Sequence, residues 1–123
     1  RHLIRNMGIY ESFVSHLGGE HFVVIVNLED SERFCNALMQ SFDANVKQLY
    51  NPEDAQKGRV KCNDRSGSLV RHPLMALSIG VANNQYRQFK SAKRMFEVLA
   101  QVRQMAQPDG KSAIFYDRRR SDR

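Results

Sequence analysis

Two apolar runs joined by a pair of glycines constrain this chain more than any other stretch. Phe13 to Leu17 and Phe22 to Val26 flank Gly18-Gly19. Two strand-like runs split by Gly-Gly read as a tight antiparallel hairpin, because such turns need positive φ at their centre. On this reading Gly18 and Gly19 are the central turn residues. Val23 to Val26 is continuously apolar, which predicts a central strand covered on both faces. Glycine also lets a ligand approach the backbone, and Glu20 directly after the pair places an acid where it can face a phosphate or a metal.

The pattern around the hairpin mixes helices with strands. Leu3, Ile4, Met7 and Tyr10 predict a helix over residues 1–11, although Gly8 weakens it. Phe34, Leu38, Phe42 and Val46 recur every four residues, joined by Cys35, Met39, Leu49 and Tyr50. They predict a helix of about 18 residues, capped by Asp30 or Ser31 and stopped by Asn51-Pro52. Residues 51–58 read as a loop. Residues 59–63 and 69–70 read as a small hairpin around the turn Asp64-Arg65-Ser66-Gly67. Residues 74–82 read as a buried strand whose Ser78 and Gly80 mark a close approach of a helix backbone or a ligand. A helix follows over 91–107, with Ala92, Met95, Phe96, Leu99, Val102, Arg103 and Ala106 on its apolar side and Pro108-Asp109-Gly110 as its stop. A last strand covers 112–117. This order predicts an α+β fold: a two-layer sandwich with a ferredoxin-like antiparallel sheet, helices on its faces and a small inserted hairpin.

The bulk properties exclude several classes. At 123 residues the chain reads as one domain, residues 1–117, with a basic tail at 118–123. No apolar run approaches the roughly 20 residues needed to span a bilayer, and no secretory signal pattern is present. The chain opens at Arg1 in what reads as helix interior, which points to a fragment of a longer protein. Cys35 and Cys62 lack zinc-ligand spacing and read as two buried thiols in a reducing cytoplasm. The net charge of +6 owes much to Arg118, Arg119, Arg120 and Arg123. A terminal block of this kind reads as a solvated tail, which argues against a nucleic-acid partner. Phe22 and Phe115 lie on strands, where RNA-binding modules of this shape carry aromatics, but both read as core. His2 and His72 read as exposed and structural, and His16 and His21 flank the turn.

With these elements in place, the ordered motifs resemble those of GGDEF domains, the diguanylate cyclase fold. His16-Leu17-Gly18-Gly19-Glu20-His21-Phe22 resembles the Arg-x-Gly-Gly-(Asp/Glu)-Glu-Phe signature, and Ser78-Ile79-Gly80 its Ser-(Ile/Leu)-Gly strand. Ala106-Gln107 with Gly110-Lys111 is similar to its Ala-Lys-x-x-Gly-Arg close. Tyr50-Asn51-Pro52-Glu53-Asp54, Asp64-Arg65-Ser66-Gly67, Pro73-Leu74 and Asp117-Arg118-Arg119 resemble the subgroup joined to response-regulator receivers. The matches span residues 13–119.

The resemblance implies a chemistry in which two such domains each hold a GTP. Magnesium or manganese bridges the phosphates, and two GTP become cyclic di-GMP. It also implies where that chemistry fails. Glu20 keeps the first signature acid, as a metal ligand. The second is His21, and a neutral imidazole is a poor magnesium ligand without compensating charge. Gly18, Gly19 and Glu20 remain as nucleotide-binding positions, together with Lys111 in place of the family's phosphate arginine. The phosphate lysine is Gln107, and the leading arginine is His16. The strand with the metal aspartate, and the guanine-reading residues, fall before Arg1. The inhibitory Arg-x-x-Asp positions are Ile9 and Ser12. The expectation is a catalytically inactive regulatory domain of a bacterial signalling protein. Its implied partners are an upstream sensory or receiver domain, a second copy, or another signalling protein. The alternative is a residual cyclase or GTP sensor using magnesium or manganese.

Overall fold

The apolar periodicities are realised as four helices and six strands in a computed structural model that describes residues 1–9, 11–85, 88–106 and 110–119. The order is α1 (His2–Asn6), β1 (Ser12–Gly18), β2 (His21–Val26), α2 (Leu28–Val46), α3 (Pro52–Lys57), β3 (Arg59–Asn63), β4 (Leu69–Pro73), β5 (Ser78–Val81), α4 (Ala92–Met105) and β6 (Ala113–Tyr116). The fold is mixed α+β. Its strands form three two-stranded sheets: antiparallel β1–β2, antiparallel β3–β4 and parallel β5–β6. The parallel pair departs from the expected all-antiparallel sheet. Parallel neighbours need a long crossover, and α4 supplies it between β5 and β6.

The chain divides into two compact units, with the division between Leu38 and Met39, inside α2. The first unit buries Ile4, Ile9, Phe34 and Cys35. Its hairpin is not the covered central strand that Val23 to Val26 predicts. Among the described residues β2 pairs only with β1, and Phe22 and Ile25 are 64% and 50% exposed. Helix α2 starts at Leu28, ahead of the expected caps. Ser31 sits in its first turn and donates Oγ–H to the Leu28 carbonyl (2.8 Å), while Asp30 pairs with Arg33 (2.8 Å).

In the second unit the core centres on Val98 and Val102 of α4, with Val46 and Ala106. The buried stripe runs through Val98, which the sequence reading passes over, while Phe96 is 41% exposed. Ser91 caps α4, its Oγ accepting from the Arg94 N–H (3.1 Å). Leu49 leaves the apolar stripe of α2. The helix ends at Val46, and a 3₁₀ turn over Lys47–Leu49 re-aims the side chain into solvent. Residues 51–58 hold α3 instead of a loop. Asn51 Oδ1 accepts from the Asp54 N–H (2.8 Å), Pro52 opens the helix, and Gly58 closes it at φ 71°.

Close approach decides the role of Gly80. A Cβ at this position would lie 2.5 Å from the backbone nitrogen of Arg103. The missing side chain makes room for the backbone of α4 on β5, so helix packing accounts for it. Tyr10, the helix stop Pro108-Asp109 and tail residues 120–123 lie outside the described residues.

Candidate functional site

The Gly18-Gly19 hairpin folds as its glycines dictate, one residue out of the expected register. Gly18 still pairs, with His21, and a bulge separates it from His16. Gly19 and Glu20 are therefore the turn residues. Gly18 and Gly19 both have positive φ, at 103° and 57°, while Glu20 does not. A positive φ at the first central residue alone fits a II′-type connection. Glu20 is exposed at the tip and His21 is half-buried as the first residue of β2.

Across the bulge, His16 and Phe22 form a cross-strand pair. Their rings stack at 4.5 Å between centroids with 13° between planes. Nε2–H of His16 donates to the Gly19 carbonyl (2.7 Å). The imidazole thus braces the turn. Sequence position puts His16 beside the turn but carries no sign of this role, because a cross-strand pair depends on register.

Lys111 belongs to the second unit and is exposed. The next residue carries a polar network absent from the sequence reading. Ser112 Oγ accepts from the Leu77 N–H (2.9 Å) and donates to Oδ1 of Asp43 on α2. The Ala113 N–H then bonds to the Leu77 carbonyl (2.9 Å). These bonds fix the entry of β6 beside β5, and with it the backbone that carries Lys111. Gln107 lies outside the described residues. A groove of about 670 Å³ also lies in this unit, lined by Gln101, Val102 and Met105 of α4 and by residues 114–119. None of the candidate residues lines it.

Among the described residues Glu20 stands without a second metal-ligating carboxylate beside it. Magnesium is held by several hard oxygen ligands in near-octahedral geometry. Glu20 offers one carboxylate, and its neighbour His21 offers nitrogen. Among the described residues, no three His, Cys, Asp or Glu side chains converge on a point. Cys35 is buried, and desolvation pushes its thiol up to about 11. Cys62 is exposed on β3, against the expectation of two buried thiols, because its strand pairs only with β4 among the described residues. Among those residues no helix is long and apolar enough to cross a membrane. Comparison with protein-family models, curated proteins and solved structures gives no match.

Proposed function

We propose that this chain is a GGDEF-like regulatory module, without cyclase activity, of a bacterial signal-transduction protein. It acts by binding a partner domain or a nucleotide. In this reading the three strand pairs derive from one ferredoxin-like sheet with helices on its faces. The observation that carries the proposal is the signature turn itself. Its backbone conformation suits a Gly-Gly hairpin, yet Glu20 projects from it without a second carboxylate, and His21 stands in the other acid's place. Removing a metal ligand or a transition-state charge typically costs several kcal/mol of barrier, about two or more orders of magnitude in rate. The ring stack of His16 on Phe22 supports a structural role for the hairpin.

The test is incubation of the purified chain with GTP and magnesium or manganese, followed by chromatography for cyclic di-GMP. No product is expected, and steady turnover by the wild-type chain would overturn the reading. GTP binding without turnover is the second reading. It rests on Lys111, exposed at the entry to β6 on backbone fixed by the Ser112 network. Calorimetric titration with GTP, with and without manganese, separates the two: heat that Lys111→Ala abolishes supports the nucleotide sensor.

A further inference from the structure

The inserted hairpin β3–β4 carries a concentration of charge that neither the hairpin signature nor the basic tail explains. Its register pairs Lys61 with Arg71, Arg59 with Pro73 and Asn63 with Leu69. Side chains alternate along a strand, so these six residues share one face. All six are exposed. Three are cations and none is an acid. The opposite face carries the half-buried Val60 and Val70.

Like charges set directly opposite destabilise a two-stranded ribbon, and among the described residues no ion pair neutralises them. Among the described residues no carboxylate lies within ion-pair distance of Arg59, Lys61 or Arg71. Glu53 is held by Lys57 (2.8 Å), which with a weaker pull from Lys61 keeps its carboxyl below the usual range. Asp64 is turned into its own loop, where Oδ1 accepts from the N–H groups of Ser66 and Ser68 and the hydroxyl of Ser66.

We propose that the Arg59–Lys61–Arg71 face binds the phosphate backbone of double-stranded DNA, with the ribbon laid in the major groove. Arg59 and Lys61 are about 7 Å apart along the strand, and Arg71 faces Lys61 at about 5 Å. Three cations this close call for a polyanion rather than a single carboxylate. A duplex, with one charge per roughly 1.7 Å of axis, is the densest candidate. The face has no aromatic side chain, so it lacks the stacking platform that single strands use. The tip over residues 64–68 is polar and closed on Asp64, so Leu69, 65% exposed beside it, is the one large apolar side chain that this face offers a bilayer surface. A two-stranded ribbon fits the roughly 12 Å major groove of B-form DNA, whereas the deep, narrow groove of duplex RNA does not admit it.

The test is fluorescence anisotropy of a labelled duplex of roughly 20 base pairs titrated with the purified chain. Three phosphate contacts predict about 40-fold weaker binding between about 50 and 200 mM salt. The triple variant Arg59→Ala/Lys61→Ala/Arg71→Ala is expected to lose at least about tenfold in affinity and most of that salt slope. A second triple variant, Arg5→Ala/Lys47→Ala/Lys93→Ala, removes the same charge elsewhere and is expected to stay within about twofold of wild type. Lys61→Glu guards against simple misfolding. It places opposite charges across the ribbon, so the melting temperature should hold or rise while duplex affinity falls. Equal losses from both triple variants would show attraction by net charge alone and overturn the proposal. So would an absence of duplex binding at about 50 mM salt, or equal capture of duplex RNA, polyglutamate or phosphatidylserine vesicles by the same face.

Discussion

Cys35 shows how a single buried group couples this protein to pH. Its thiol ionises near 9.0 in the unfolded chain and near 11 in the fold, because burial in the first unit penalises the thiolate. Below pH 9 both states hold the proton, and the thiol costs nothing. Between 9 and 11 the unfolded state ionises while the folded state does not, so stability falls as pH rises through that window. The full difference is at most about 3 kcal/mol, lessened by residual solvent screening. Melting temperatures measured from pH 8 to 11 should therefore fall more steeply for wild type than for Cys35→Ala. Parallel slopes would contradict this account. The buried place of Cys35 was legible from its helical spacing beside Phe34. The exposure of Cys62 was not, since its cover depends on what the β3–β4 ribbon packs against, and periodicity within one strand carries no such information. The bracing of Gly19 by His16 was hidden for a related reason: it exists only once the bulge sets the register.

Elements were legible wherever local chemistry and apolar period agreed. The long helix α2, the helix α4 and both hairpins follow from spacing and turn residues, while the Ser91 cap of α4 shows only in the structure. Helix α3 shows the opposite case. Asn51 is a capping residue, Pro52 suits a first turn, Glu53 and Asp54 complement the helix dipole, and Gly58 suits a left-handed close. Every signal was present, but Asn-Pro also ends helices, and the ending of α2 absorbed it. The contact of α4 with β5 gives the sharpest prediction at this scale. Gly80→Ala would push a methyl to 2.5 Å from the Arg103 nitrogen, so backbone must move. Overpacking against backbone costs about 1–3 kcal/mol. Urea denaturation should show that loss, while Gly67→Ala, which meets no atom within 4 Å and carries only the strain of its positive φ, probes turn strain without the clash. A Gly80→Ala variant as stable as wild type would show that α4 does not seat on β5 in this way.

For the whole molecule, the sequence conveyed the mixture of helix and strand but not how the strands share hydrogen bonds. Local pattern specifies a hairpin because its partner is adjacent; it cannot specify which distant edges meet. The two units consequently differ in what holds them. In the second, Val98 and Val102 are essentially removed from water and β5 and β6 pair across α4. In the first, the β1–β2 hairpin leaves Phe13, Leu17, Phe22 and Ile25 at least half exposed. Burial of apolar area drives folding at roughly 25 cal/mol per Å², and a two-stranded hairpin with little cover is marginal. Local opening should therefore be easier at residues 12–26 than in α4 and the β5–β6 pair. Hydrogen exchange followed by mass spectrometry should find peptides from the hairpin exchanging at least about tenfold faster than those from α4, a difference of about 1.4 kcal/mol in opening free energy. His16→Ala, which removes the stack on Phe22 and the bond to Gly19, should widen the gap by accelerating the hairpin alone. Uniform protection across both regions would mean that the exposed hairpin face is covered in solution, and the module would then be held together at the hairpin by a partner surface rather than by its own core.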